Sequence, residues 1–163
     1  MKEKYGEFTK RIDKGEGMHS LPFLNKYYRK ISNPITYLLQ KTKITPNQVT
    51  SFMIFFGCFA CLLFANFNYW IWGAILLNVY IILDHVDGDL ARAKEMTSEK
   101  GYFLDRVSHI LMRGILPLAM SIGLWRHYNE AYILIIGLFS VYFVLTDHVF
   151  LYMDTIRRKL NVY

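Results

Sequence analysis

Four apolar runs constrain this chain more than any other feature: Val49–Asn66, Tyr69–Leu83, Tyr102–Leu124 and Ala131–Tyr152. A helix that crosses the hydrocarbon of a bilayer needs roughly 17–25 residues. Each run has about that length if the second continues helically into the acidic residues after it. Lipid offers no water to backbone N–H and C=O groups, so only helices and closed barrels cross it. None of the runs alternates with period two, which argues against barrel strands. The expectation is an all-α integral membrane protein, a bundle of about four transmembrane helices. A composition of 53% hydrophobic and 17% aromatic residues over 163 positions fits that class better than a soluble domain. The first forty residues are polar and basic, so no signal peptide is expected.

Basic residues set the orientation. Ten Lys or Arg fall within residues 1–47, Arg92, Lys94 and Lys100 mark the connection between the second and third runs, and Arg157, Arg158 and Lys159 lie in the tail. The other two connections hold only Arg126. By the positive-inside rule both termini and the 92–100 connection face the cytoplasm. The net charge of +6 then reads as attraction to anionic lipid, and no nucleic-acid partner is expected. Cys58 and Cys61 form a CxxC without a further Cys or His pair in the middle of a span, where small apolar packing is the simplest reading.

Four segments follow. Residues 1–20 form a cytoplasmic N-terminal segment without visible periodicity. Residues 21–44 form an interfacial amphipathic region, in which Phe23, Tyr27, Ile31, Ile35 and Leu38 recur at near-helical spacing away from Lys26, Arg29 and Lys30. Asn33-Pro34 is expected to divide that region, since Asn caps helices and Pro suits a first turn. Residues 45–156 form the transmembrane domain, and 157–163 a basic cytoplasmic tail. In TPNQVT, Thr45 as N-cap with Gln48 three residues on has the pattern of a capping box. The first span thus begins at the cytoplasmic surface with backbone N–H groups directed outward, where phosphate is welcome.

The second run ends in DHVDGDLAR, residues 84–92. Asp84 and Asp87 share a face of a continuing helix, Gly88 removes a side chain beside them, and Arg92 stands one turn beyond Gly88. In the third run Asp105, His109 and Arg113 recur every four residues along one stripe. Helices joined by a short loop are antiparallel neighbours, so two acidic ridges meet just inside the membrane boundary. Ionisable groups there are costly and mark sites. Clustered carboxylates repel unless cations lie between them, and hard divalent ions take oxygen ligands. Metal, a basic residue and a helix N-terminus together describe phosphoryl transfer.

The pattern Asp84-x2-Asp87-Gly88-x2-Ala91-Arg92-x8-Gly101-x3-Asp105 resembles the signature of the CDP-alcohol phosphotransferases, and TPNQVT is similar to the segment that opens their first membrane helix. The likeness covers roughly residues 20–150. It implies transfer of a phosphoalcohol group from a CDP-alcohol donor, CDP-diacylglycerol being one option, to an acceptor alcohol with release of CMP. It also implies two divalent cations, Mg²⁺ or Mn²⁺, held by Asp84, Asp87 and Asp105, and a CDP moiety met by Gly88, Ala91 and Arg92. Asn47 and Thr50, at the opening of the first span, would steady the nucleotide. The last carboxylate, Asp105, belongs to the catalytic set, and a homodimer is common in the family.

Two departures stand out. The signature closes on Asp, and this chain has His109. Its imidazole would be the acceptor's general base, a metal ligand that tilts the site toward Mn²⁺ or Zn²⁺, or a sign of altered catalysis. Members of the family usually carry six membrane helices against the four runs here, so a fragment, a minimal form and a form completed by another subunit all stay open. An inactive relative that binds a CDP-alcohol or scaffolds another protein is the alternative function. An ion pathway lined by the acidic face explains neither Gly88 nor Arg92. Of the other polar residues, Arg113 is a candidate for an anionic acceptor or donor phosphate. Asp89 is expected on a solvated face, His85 in a helix–helix hydrogen bond, and Arg106 at lipid headgroups. Asp147 and His148 are expected to anchor the interface, with Trp70, Trp72, Trp125 and Tyr128 as belt aromatics.

Overall fold

The computed structural model describes residues 4–12 and 22–160, and among these every regular element is helical. The order is α1 (Tyr5–Ile12), α2 (Pro22–Leu39), α3 (Pro46–Phe64), a single 3₁₀ turn (Phe67–Tyr69), α4 (Trp70–Ala93), α5 (Glu99–Tyr128) and α6 (Tyr132–Leu160). Three of them are long and apolar enough to cross a membrane: Pro46–Phe64, Phe67–Ala93 and Glu99–Tyr128. The apolar part of α6 is shorter, Tyr132–Asp147. The second span continues unbroken into its acidic end, as the run length requires. The chain divides into two compact units, one from the chain up to Gly57 with Leu76–Asp105, the other from Cys58–Ile75 with the chain from Arg106 onward.

In the first unit, α1 packs on α2. Phe8 and Ile12 are 0% and 1% exposed, and Tyr5 and Phe8 both meet the Tyr37 ring edge-on at 5.3 Å. Lys41 closes the far side with its Nζ 3.9 Å from the same ring centroid. Tyr5, Phe8 and Ile12 stand at i, i+3 and i+7. Eight residues are too few for a convincing periodicity, and their burial on Tyr37 is what holds them helical.

Pro34 does not divide α2, contrary to expectation. A proline inside a helix removes one backbone bond. Here it sits on the exposed side, and the buried side carries the helix through it. Ile35 and Leu39 pack against the core of Val49, Val86 and Leu90, and Thr36 Oγ1 donates to the Ser32 carbonyl at 3.0 Å. The apolar stripe is also split. Ile35 points to the core, whereas Tyr27 and Leu38 are 54% and 65% exposed and available to lipid. The side chain of Phe23 lies outside the described residues.

Two helix ends in this unit are closed by local hydrogen bonds. The Thr45 N–H donates to Gln48 Oε1 at 2.9 Å and the Gln48 N–H to Thr45 Oγ1 at 3.4 Å, the reciprocal pair of a capping box. Past α4, Glu95 takes φ 55° and the Met96 N–H donates back to the Ala91 carbonyl at 2.9 Å, a left-handed C-terminal stop. Lys94 Nζ donates to the Thr42 and Ile44 carbonyls at 2.7 and 2.6 Å, tying the end of α4 to the loop before α3.

In the second unit, Trp70 Nε1 donates to the Phe64 carbonyl at 2.8 Å, and Phe67 stacks on His127 with ring centroids 4.1 Å apart. Trp70 is therefore a structural hydrogen-bond donor in addition to its place near a helix end, while Trp72 and Tyr128 are exposed as belt residues are. Gly123 lies so close to the Phe64 carbonyl that a Cβ there would collide with it. Cys61 is buried and Cys58 exposed, both as free thiols.

The packing of α1 makes a prediction. Phe8→Ala removes the buried ring that holds eight residues helical, a loss of about 3–5 kcal/mol for a fully buried Phe. Limited proteolysis in detergent is expected to cut at Lys10 or Arg11 far faster than in the parent chain, with the remaining helical content unchanged by circular dichroism.

Candidate active site

At about 100° per residue, the last turns of α4 sort their side chains by azimuth. Asp84, Asp87, Gly88 and Ala91 fall within one sector, and His85 and Asp89 fall well round from it. Arg92 lies at the border between them, one turn past Gly88, with a side chain long enough to lean either way. The three carboxylates of this stretch therefore do not form one cluster. Each meets a different answer to its charge.

Asp87 is 5% exposed and accepts from Thr50 Oγ1 at 2.7 Å. Thr50 is itself buried in the first turn of α3, where its hydroxyl also approaches the Pro46 carbonyl at 3.2 Å. The hydrogen bond joins the opening of the first span to the acidic end of the second. Asp84 and Asp105 both act electrostatically on Asp87, so the three aspartates singled out from the sequence do converge within the first unit.

Asp84 and Asp105 are half-buried and offer carboxylate oxygens within 4.8 Å of each other. His109, one turn beyond Asp105 in α5, brings a ring nitrogen within the same distance of the Asp105 carboxylate. Among the described residues these are the ones whose ligand atoms gather closely enough to hold a metal ion, and Asp87 stands outside that group. The donor chemistry fits a divalent cation: two hard carboxylate oxygens, and an imidazole that binds borderline ions more readily than it binds Mg²⁺.

Asn47 is exposed in the first turn of α3 and lies against Gly101, where a Cβ would come 2.9 Å from Asn47 Oδ1 and 3.1 Å from Ser98 Oγ. Ser98 caps α5: its Oγ accepts from the Gly101 N–H at 3.1 Å. The glycine of the x8-Gly spacing is thus a point of close approach between the openings of α3 and α5. Ser98 was not singled out from the sequence, although a serine ahead of Glu99 and the apolar run is an N-cap signal.

Asp89 corrects an expectation. It is 2% exposed, not solvated, and it accepts a hydrogen bond from Arg92 Nη2 in an ion pair. Arg29 of α2 and His85 add positive field around it. The Arg92 guanidinium also lies over Gly88, with Nη1 3.5 Å from where a Cβ would stand. What Gly88 leaves room for inside the protein is therefore the arginine of its own motif. The pair could have been read from the i, i+3 spacing of Asp89 and Arg92. His85 places Nδ1 2.9 Å from the Ile81 carbonyl of its own helix and its ring beside Tyr28, so its hydrogen bond is not to a neighbouring helix. Ala91 is half-buried; Arg106, Arg113 and Asp147 are exposed, and the side chain of His148 lies outside the described residues.

Residues 43–160 match the CDP-alcohol phosphatidyltransferase family. Over 80 residues the chain is 41% identical to the bifunctional IPC transferase and DIPP synthase of Aquifex aeolicus (strain VF5), covering 48% of this chain and 18% of that protein. Over 86 residues it is 31% identical to the phosphatidylinositol phosphate synthase of Streptomyces avermitilis, covering 50% of this chain and 35% of that one. The matched stretch is thus about a third or less of either relative's length.

The Thr50–Asp87 bond makes a prediction. Thr50→Val keeps shape and removes the donor, leaving a buried carboxylate short of a hydrogen bond at a cost of about 1–3 kcal/mol. Thermal unfolding in detergent is expected to fall for Thr50→Val and to recover in Thr50→Ser.

Proposed function

The chain belongs to the CDP-alcohol phosphatidyltransferase family, and on that premise we propose that it transfers a phosphoalcohol group from a CDP-alcohol to an acceptor alcohol, releasing CMP at the cytoplasmic face of a membrane. The observation that carries the proposal is the approach of Asp84 and Asp105, from two different helices, to within 4.8 Å. Such carboxylates in apolar helices are costly unless a cation is held between them. The similarity to an IPC transferase/DIPP synthase and to a phosphatidylinositol phosphate synthase supports a product of the phospholipid type, and an acceptor bearing several hydroxyls.

Asp84, Asp87 and Asp105 would hold Mg²⁺ or Mn²⁺, with His109 as an additional ligand or as base. When bound, such an ion neutralises diphosphate charge and stabilises the charge that develops on departing CMP. The protein's own residues do the rest. Thr50 aims the Asp87 carboxylate, and Asn47 with the opening of α3 meets the nucleotide. Arg92, lying over Gly88 beside Ala91, binds the phosphates. His109 takes the proton of the acceptor hydroxyl. The acceptor oxygen bonds to the phosphorus that carries the donor's alcohol, the bond from that phosphorus to the bridging oxygen breaks, and CMP leaves with the electron pair.

A second reading, a family member that binds CDP-alcohols without turning them over, is favoured by His109 at the last position of the signature. CDP binding without CMP release would establish it.

Two measurements test the transferase. Asp105→Asn in the purified protein, assayed with a panel of CDP-alcohols and acceptors, is expected to lower CMP release by about 10²-fold or more, the scale of a catalytic group. Retention of most activity rules out the assignment. For His109, replacement by a side chain that cannot accept a proton, His109→Phe, is expected to lower CMP release by about 10²-fold in Mg²⁺ and in Mn²⁺ alike, and retention of most activity in both would make His109 something other than the base.

A further inference from the structure

We propose that Asp89, which lies between the matched positions of the signature, is a positioning residue for the nucleotide: it holds the Arg92 guanidinium across the clearing left by Gly88. The inference rests on the transferase reading above and adds to it a residue that the motif leaves unspecified.

Arg92 sits at the border of two helix sectors, and free rotation would let its head group reach toward either. Asp89 removes that freedom by accepting from Nη2. With Nη2 so engaged, Nη1 lies over Gly88, on the sector that carries Asp84 and Asp87. Nε is buried and makes no hydrogen bond within the protein. The guanidinium therefore keeps donors that the protein does not use, and its plane is set before any phosphate arrives. A pre-oriented planar fork loses little rotamer freedom on meeting phosphate, which is where Arg gains over Lys.

The arrangement is also built to last. Asp89 is 2% exposed, and a buried carboxylate with no cation would be strongly destabilising. Arg92 provides the direct partner, and Arg29 of α2 with His85 surround it with further positive field. Asp89→Asn keeps the side-chain shape but takes the counter-charge from Arg92, so its stability is followed beside its binding. What it releases is the orientation of Arg92.

The experiment compares the parent chain, Asp89→Asn, Asp89→Glu, Arg92→Gln and the double variant Asp89→Asn/Arg92→Gln in detergent. Thermal unfolding is followed alongside CDP affinity in Mg²⁺, and donor KM and kcat are measured with CDP-diacylglycerol. Asp89→Asn is expected to raise the CDP dissociation constant and donor KM about 5- to 30-fold with a smaller change in kcat, and Asp89→Glu to recover part of the loss. Adding Asp89→Asn to Arg92→Gln is expected to cost little more than Arg92→Gln alone, which a purely structural role of Asp89 would not produce. The double variant carries neither charge of the pair, so it remains a usable comparison if a single variant unfolds. Unchanged or tightened CDP binding by folded Asp89→Asn overturns the proposal, as does an additive double variant. A parent chain that binds CDP but releases no CMP sinks the transferase reading alone and leaves the Asp89 comparison to be read in CDP affinity. A parent that binds no CDP overturns both.

Discussion

The structure depends on how negative charge is answered where helices are otherwise apolar. Asp84, Asp87, Asp89 and Asp105 stand in helices long enough to cross a membrane, where an isolated carboxylate is expensive. Each is treated differently. Thr50 gives Asp87 a hydroxyl, Arg92 gives Asp89 a guanidinium, and Asp84 and Asp105 approach each other closely. The first two are direct hydrogen bonds within the protein, and the third is the close approach on which the functional proposal rests.

The same economy explains why three helix ends meet in one unit. The capping box closes the start of α3 on Thr45 and Gln48, which leaves the Thr50 hydroxyl for Asp87 and the Asn47 side chain exposed. Thr50 joins that turn to the end of α4, Gly101 lets the first turn of α5 come up against Asn47, and Lys94 stitches the end of α4 to the loop that precedes α3. None of these contacts is apolar. They lie beside a small apolar core of Val49, Val86 and Leu90, which α2 covers with Ile35 and Leu39. The core sets the spacing of the helices, and the polar contacts set their register.

What could be read along the chain was whatever depends on local spacing. The spans, the Thr45–Gln48 cap and the continuation of α4 through Leu83 are matters of run length and of residues three or four apart. The aspartate and glycine positions of the signature carry their own chemistry in the same way. Local spacing said less, or misled, where a tertiary contact overruled it. Pro34 was expected to break α2, and the buried side of that helix carried it through. The segment of α1 is too short to show a period, and Tyr37 supplies the burial that makes it a helix. Asp89 looked like a solvated charge because nothing near it in sequence reveals that α2 lies over that sector of α4.

The sequence by itself determined that this chain is helical, that it belongs in a membrane, and which carboxylates stand at the end of its second span, because hydrophobic length and helical period are properties of neighbouring residues. Only the tertiary structure decided what each of those carboxylates meets. Thr50 meets Asp87 and Asp105 approaches Asp84 from other helices, whereas Arg92 meets Asp89 from one turn along the same helix. Electrostatic energy in a desolvated site is set by distance through space, and sequence separation carries no record of it.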